Sequence, residues 1–222
     1  ITDTSDLISQ SGLKTDSYFV YDESVGMIHK FDMKTMKHLW NHKVLGAQED
    51  EHGVLGDPDG NYVIDLTLKN IVVYNDNGEA GRNPFMFQGN PVSAAYNPTS
   101  GFLVVYDDLK SVGILKLNDD GTFEKSELLG PLIEEGKAIN SGDIDSSGRL
   151  IVSMTDKTIV VADLEATIDA GEWVSEEILT TTEVVSWIGP SNVLADHVIA
   201  ASATEIMLIN YVAKLAEMTG EY

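Results

Sequence analysis

A pair of short apolar segments recurs five times along this sequence, with successive copies starting 40 to 48 residues apart. The clearest copy is DIDSSGRLIVSMTDKTIVVAD, residues 143–163, in which two β-branched runs flank a polar turn at residues 155–157. Runs of this length, bounded by Asp, Ser and Gly, predict strands rather than helices. Five copies at a nearly constant spacing predict a chain built from repeated hairpins. The first strand of each pair begins at Tyr18, Tyr62, Phe102, Leu150 and His197, and the second at Met27, Ile71, Val112, Thr158 and Ile206.

Each repeat is predicted to contain four strands, because less regular segments flank the central pair. Turn sequences at residues 57–60, 97–101 and 145–148 occupy matching places, and their Asn, Asp and Gly residues tolerate positive φ. The last repeat ends in residues 213–218, which fit either a strand or a short helix. A preceding strand is predicted at residues 6–9, 52–55, 92–95, 139–144 and 184–187, and a following strand at residues 38–42, 84–87, 123–127 and 173–177.

The repeats are predicted to stack, because one four-stranded sheet cannot cover its own apolar faces. The central strands are almost continuously apolar, which indicates cover on both faces, and burying one Val, Leu or Ile contributes about 1.5–3 kcal/mol. Four strands in a period of 40 to 48 residues are typical of a β-propeller. We therefore predict an all-β fold, a β-propeller of about five four-stranded blades in a single domain. Both a closed five-bladed ring and part of a larger ring fit this pattern. The blades span approximately residues 4–44, 48–89, 90–130, 138–179 and 183–222 of residues 1–222.

Two repeats resemble those of known propeller families. DPDGNYVIDLTLKNIVVYNDNG, residues 57–78, is similar to NHL and gluconolactonase-type repeats, with their D-x-D-G turn and two strands. SYFVYDESVGMIHKFDMKTMKHLW, residues 17–40, is more similar to YVTN or PQQ-type repeats, in which a hairpin ends before a Trp. The Gly-His and Trp-Asp pairs of WD40 repeats are missing, and residues 66–68 replace the usual polar loop with Leu-Thr-Leu. The resemblance implies a propeller fold and leaves the function open.

Charge is the strongest signal in the composition. Asp and Glu total 36 against 14 Lys and Arg, which gives a net charge of −22. This charge repels phosphate backbones and anionic membranes, so we expect no nucleic-acid binding. No apolar run approaches 18 residues, so no membrane insertion is expected. The absence of Cys fits a reducing compartment or a secreted bacterial protein. Because the sequence starts with Ile1, either a removed leader or a piece of a longer chain is expected, and we favour a periplasmic or secreted bacterial protein.

Acidic residues are predicted to gather on one face of the propeller. In that fold, the loops between the central strands and the connections between blades share a face, where propellers commonly bind ligands or partners. An acidic ring there suits a divalent cation, as in gluconolactonase-like enzymes, or a protein partner rich in Lys and Arg. A solvated rim of charges is the alternative. The residues predicted for this face are Asp22, Glu23, Asp107, Asp108, Glu134, Glu135, Asp156 and Glu205.

The spacing of the histidines in the sequence does not predict a metal site. His38 and His42 are predicted to share one side of a strand with Trp40, roughly 13 Å apart, too far for one ion held at ~2.0–2.1 Å. His29, on the neighbouring strand, is predicted to face Trp40. Asp-rich turns at residues 57–59, 119–124 and 143–145 contain carboxylates that Ca²⁺ favours. Hairpin turn chemistry explains all of them, and none completes an EF-hand loop.

Catalytic motifs are not visible in the sequence. It contains no G-x-S-x-G, H-E-x-x-H, P-loop or G-x-G-x-x-G motif. We therefore predict a non-catalytic binding or scaffolding module with an acidic face, without a required cofactor, for a protein or small-ligand partner. A Ca²⁺-dependent lactonase or esterase of the gluconolactonase type, and a structural piece of a larger assembly, are the alternatives.

The net charge of −22 generates a prediction about salt. Lowering the ionic strength from ~0.1 M to ~0.01 M lengthens screening from ~10 Å to ~30 Å, so like charges repel one another over greater distances. We expect the urea concentration at the midpoint of unfolding to decrease as the ionic strength is lowered across this range. A midpoint indifferent to ionic strength would contradict the prediction.

Overall fold

A computed structural model describes residues 17–22, 25–43, 53–56, 62–66, 71–75, 78–82, 84–132, 139–191, 194 and 196–219. These parts of the chain are mostly β, with eighteen strands in five small sheets and two helices. The strands are β1 Ser17–Asp22, β2 Met27–Asp32, β3 His38–Lys43, β4 Gly53–Gly56, β5 Tyr62–Leu66, β6 Val72–Asn75, β7 Gly78–Arg82, β8 Pro91–Asn97, β9 Phe102–Asp107, β10 Val112–Leu117, β11 Phe123–Leu129, β12 Ile139–Ile144, β13 Arg149–Met154, β14 Thr158–Asp163, β15 Ser175–Thr180, β16 Trp187–Pro190, β17 His197–Ala201 and β18 Ile206–Asn210.

Each sheet is a meander in which strands adjacent in sequence are hydrogen-bonded neighbours. Sheet 1 is β1-β2-β3, sheet 2 is β4-β5-β6-β7, sheet 3 is β8-β9-β10-β11, sheet 4 is β12-β13-β14-β15 and sheet 5 is β16-β17-β18. The ladders described in sheets 1, 2, 4 and 5 are antiparallel. The sequence therefore predicted the all-β class correctly. The strand predicted at residues 6–9 lies outside the described residues.

The central strands form where the sequence predicts them, because their apolar side chains are buried. Leu103, Val104 and Val105 in β9, like Ile114 and Leu115 in β10, are completely inaccessible to solvent. Such strands, apolar at successive positions, need cover on both faces of the sheet.

The turns also have the predicted chemistry. The Asn97 side chain accepts hydrogen bonds from the amides of Thr99, at 3.0 Å, and Ser100, at 3.1 Å, which closes the turn before β9. Gly148 has a φ of +83°, and a Cβ there would lie 2.7 Å from the Phe102 ring. Both the backbone conformation and the close approach therefore require glycine at this turn.

Three outer strands differ from their predicted positions. In sheet 2 the last strand is β7, residues 78–82, and the prediction at residues 84–87 is wrong. Gly78 already pairs with Asn75, so the hairpin turns back earlier than expected, and Pro84 lacks the amide hydrogen that a ladder needs. β15 begins two residues after the predicted start, and β16 begins three residues after it. Polar and glycine-containing edges carry too little apolar signal to fix such boundaries.

Two helices complete the described chain. The unpredicted α1, Leu164–Ala170, begins after Asp163, whose carboxylate accepts from the Ala166 amide, and ends at Gly171 with a φ of 68°. Residues 213–218, which fitted a strand or a helix, lie in α2, Tyr211–Thr219. Within the described residues, neither helix is long and apolar enough to cross a membrane.

The chain divides into two compact units. Unit 1 contains residues 1–93, 106–111 and 115–126, and unit 2 contains residues 94–105, 112–114 and 127–222. In unit 1, sheets 1 and 2 share an apolar cluster of Phe19, Ile28, Val72 and Tyr74. In unit 2, sheets 4 and 5 and α2 share a larger one. Its buried members are Ile151, Ile159, Val161, Ile178, Val185, Ile188, Val198, Ala200, Ile209 and Tyr211.

A buried polar contact holds the start of α2 against sheet 4. The Tyr211 hydroxyl donates to Oδ2 of Asp145, which is itself buried in the turn before β13. The guanidinium of Arg149 lies 5.9 Å from the centre of the Tyr211 ring. Burial, reinforced by the Asp145 carboxylate, raises the pKa of Tyr211 to about 12. The hydroxyl therefore stays protonated and can donate at neutral pH.

Replacing Tyr211 by Phe is expected to lower the free energy of unfolding by about 1.5–3 kcal/mol, because the buried Asp145 carboxylate loses one of its hydrogen-bond donors. Urea unfolding followed by circular dichroism measures the change. Tyr18→Phe is the matched control, since among the described residues the Tyr18 hydroxyl contacts only the Met36 sulfur, at 3.9 Å and at an exposed position. Equal losses in the two variants would contradict the role given to Tyr211.

Candidate binding surface

Three loops of unit 2 are joined by hydrogen bonds where sheets 4 and 5 end. They are residues 155–157 between β13 and β14, residues 181–186 between β15 and β16, and residues 202–205 between β17 and β18. The Thr181 amide and hydroxyl both donate to the Lys157 carbonyl oxygen at 2.8 Å. The Lys157 ammonium group donates to the Thr182 carbonyl oxygen at 3.0 Å. We call these three loops the unit 2 loop surface.

Glu183 is the best-supported carboxylate on this surface, and the sequence analysis did not single it out. Its Oε2 atom accepts from the hydroxyls of Thr204, at 2.7 Å, and Ser202, at 2.9 Å. These two hydrogen bonds, with a smaller effect of the Lys157 charge, lower the pKa of Glu183 below its ordinary value. The carboxylate is therefore ionised and oriented. It is the first residue of the last predicted blade, and nothing in its sequence context distinguished it from the other acidic residues.

Two of the predicted residues, Asp156 and Glu205, lie on the same surface. Asp156 is exposed, and its Oδ1 atom accepts from the Thr158 hydroxyl at 2.7 Å and from the Thr158 amide at 3.2 Å. Glu205 is also exposed, and its Oε1 atom accepts from the Thr182 hydroxyl at 3.4 Å. The structure therefore brings these two carboxylates to loops that also contain Glu183 and Lys157.

Asp107 and Asp108 occupy a corresponding loop in unit 1, after β9. Asp107 is buried, and its carboxylate accepts from the amides of Gly89 at 3.0 Å, Leu109 at 3.0 Å and Ser111 at 2.6 Å. Asp108 is exposed and accepts from the Asn90 amide at 2.9 Å. Asp107 thus holds the loop together from within, and of the two only Asp108 presents its side chain to solvent.

The remaining predicted residues contribute less. Asp22 is half-buried at the end of β1, in unit 1. Glu23, Glu134 and Glu135 lie outside the described residues. The eight predicted residues are therefore seen in separate groups, and their assembly into one ring stays a prediction.

The Asp-rich turns bind their own backbone. Asp120 accepts from the Thr122 hydroxyl at 2.6 Å and the Thr122 amide at 2.9 Å, which lower its pKa. Glu124, expected beside it, lies 3.8 Å from the Lys116 ammonium group. Asp143 differs, because burial raises its pKa. Residues 57–59 lie outside the described residues. The described part of the chain contains no group of three or more His, Cys, Asp or Glu residues arranged to hold a metal ion.

The histidines of sheet 1 do not lie as predicted. A β-bulge between Lys30 and Phe31 pairs Phe31 with His38 but Lys30 with Trp40. Because the bulge inserts one residue into β3, His38 leaves the face that Trp40 and His42 share. The predicted common side for His38 and His42 is therefore wrong.

His29 also differs from its prediction, since it contacts His38 rather than facing Trp40. Nδ1 of His29 lies 3.1 Å from Nε2 of His38. Burial, followed by the charge of His38, lowers the pKa of His29. On the other face, His42 Nε2 lies 2.9 Å from the Asn75 carbonyl oxygen, and its ring stacks on Tyr74.

Comparisons with known proteins add no identification. No protein-family model matches the sequence, and no curated protein matches it. The resemblance to propeller repeats therefore stays a prediction.

The hydrogen bonds to Glu183 give a prediction about its titration. In the folded protein we expect its carboxyl to titrate below the value in the urea-unfolded chain, which is the internal control. The stabilisation from ionised Glu183 should be present above the unfolded pKa and be lost as the pH falls through the folded pKa. Carbon-detected NMR of the Glu183 side chain measures both values. Thr204→Val should raise the folded pKa, and an unchanged value would show that the hydroxyl does not act on this carboxylate.

Proposed function

We propose that this chain is a β-propeller-type binding or scaffolding module that captures a Lys- and Arg-rich protein segment on the unit 2 loop surface. The proposal rests on one observation: hydrogen bonds join three loops that present Asp156, Glu183 and Glu205. A recognition surface on loops held by a sheet scaffold is a common arrangement in proteins.

The propeller part of the proposal is supported by how the sheets pack. Each described sheet is a meander of three or four strands. Within unit 1, sheets 1 and 2 share a core, and within unit 2, sheets 4 and 5 share another. Packing between successive small sheets is the relation that neighbouring blades have in a propeller.

The binding part is supported by the state of the carboxylates. Hydroxyl donors hold Glu183 ionised and in one orientation, so little ordering is required when a cation approaches it. The Lys157 ammonium group is directed to the Thr182 carbonyl oxygen. Glu205 is exposed and Glu183 is half-buried, so an ammonium or guanidinium group of a partner can approach both carboxylates from solvent, although the Lys157 charge acts on Glu183 as well.

Charge supports a basic partner over an acidic or neutral one. The net charge of −22 attracts cationic segments over a Debye length and repels anionic ones. Such attraction speeds encounter and selects against wrong partners more than it adds affinity. The expected complex is therefore fast to form and sensitive to salt.

A fluorescent oligolysine peptide is the probe for a direct test by anisotropy. The double variant Glu183→Gln with Glu205→Gln removes two charges from the unit 2 loop surface. If each exposed ion pair is worth about 0.2–1 kcal/mol, the variant should bind about 2- to 30-fold more weakly. The loss should shrink as salt is raised, because screening weakens the pairs that the wild-type protein forms.

The matched control is Glu172→Gln with Glu176→Gln, which changes the net charge equally at exposed residues outside the three loops. The proposal requires this control to bind the peptide nearly as well as the wild-type protein. Equal weakening in both double variants would mean that overall charge alone attracts the peptide, and the proposed surface would then be rejected.

A further inference from the structure

Two imidazole rings meet on sheet 1, outside the unit 2 loop surface. His29 lies on β2 and His38 on β3, and the bulge brings them to one face of the sheet. Their Nδ1 and Nε2 atoms are 3.1 Å apart, and the ring centres are 5.3 Å apart with 57° between the planes. A separation of this size suits one shared hydrogen bond, and it also suits two ligands of one ion.

Simple geometry relates the separation to metal binding. Two nitrogens held ~2.0–2.1 Å from one ion are about 2.9 Å apart at a right angle and about 3.3 Å apart in a tetrahedron. The 3.1 Å between His29 Nδ1 and His38 Nε2 falls between these limits. Binding an ion would replace the shared hydrogen bond, and each ring would turn so that its lone pair points about 35–45° away from the line between the two nitrogens.

The surroundings hold the pair and favour a cation. Phe31 packs beside both imidazoles, with its ring centre 6.2 Å from that of His29 and 5.2 Å from that of His38. Tyr18 stacks on Phe31 at 5.2 Å. Asp22, on β1, interacts electrostatically with His29, and its negative charge would also attract a metal ion. Nε2 of His29, which would carry the proton when Nδ1 binds an ion, has no hydrogen-bond partner among the described residues.

We propose that His29 and His38 form a two-imidazole site that binds a divalent transition-metal ion through Nδ1 and Nε2, with water in the remaining positions. Imidazole suits Cu²⁺, Ni²⁺ and Zn²⁺, whereas Ca²⁺ and Mg²⁺ prefer oxygen. Among these ions, Cu²⁺ is expected to bind most tightly, following the general order of affinities for nitrogen ligands.

Titration with Cu²⁺, in the presence of excess Ca²⁺ to occupy surface carboxylates, tests the site. Calorimetry gives the affinity, and electron paramagnetic resonance of the bound Cu²⁺ reports nitrogen ligation. The wild-type protein should show one site with two imidazole nitrogens. His38→Gln should weaken that site by about tenfold or more, because it loses a ligand rather than an outer partner.

His42→Gln is the matched control, since His42 lies on the opposite face, and it should leave both affinity and spectrum unchanged. His38 is exposed, so His38→Gln should fold, as circular dichroism can verify. His29→Gln should reproduce the loss. Equal Cu²⁺ affinity in wild type and His38→Gln, or an equal loss in His42→Gln, would overturn the proposal. So would a spectrum showing oxygen ligands alone, because the pair would then be only a hydrogen bond between two rings.

Discussion

Burial of apolar faces between neighbouring sheets is the constraint on which the rest of the structure depends. A three- or four-stranded sheet has two faces and too little chain to cover either. In unit 2, Ile151 and Val161 of sheet 4 meet Val198 and Ile209 of sheet 5 in one core. Each buried aliphatic side chain contributes about 1.5–3 kcal/mol, so pairs of sheets are stable where a single sheet would not be. The loops at the ends of the sheets take their positions from this packing.

Several acidic side chains stabilise the fold by accepting hydrogen bonds and are therefore less available to a partner. Asp107 accepts three backbone amides, and Asp145 accepts from the amides of Ser147 and Arg149 and from Tyr211. Such contacts satisfy backbone donors that no ladder reaches. The net charge of −22 therefore overstates how many carboxylates are available to a ligand. Carboxylates that reach solvent and have few backbone donors, such as the half-buried Glu183 and the exposed Glu205, are the better candidates.

The sequence was sufficient to predict the central strands, but it was insufficient to predict elements with little apolar content. β9 and β13 were predictable because their β-branched runs end at turn residues. β7 was not, because its sequence, GEAGR, has no strand propensity and pairs only because β6 lies beside it. α1 was missed because seven residues are too few for a helical period, although Asp163 and Gly171 mark its two ends. The residues proposed for binding followed from topology, and Glu183 became visible only through its hydroxyl donors.

Register explains why the histidine pair could not be found from spacing alone. Side chains alternate along a strand, so inserting one residue exchanges the two faces for every position beyond it. In β3 the insertion falls between His38 and Trp40, within a stretch where strict alternation would place both on one side. This bulge contains no glycine, so the sequence gives no indication of it. One unpaired residue therefore places His38 on the face opposite to His42, within hydrogen-bond distance of His29. The local chemistry of sheet 1 is thus determined by an irregularity in pairing rather than by the repeat.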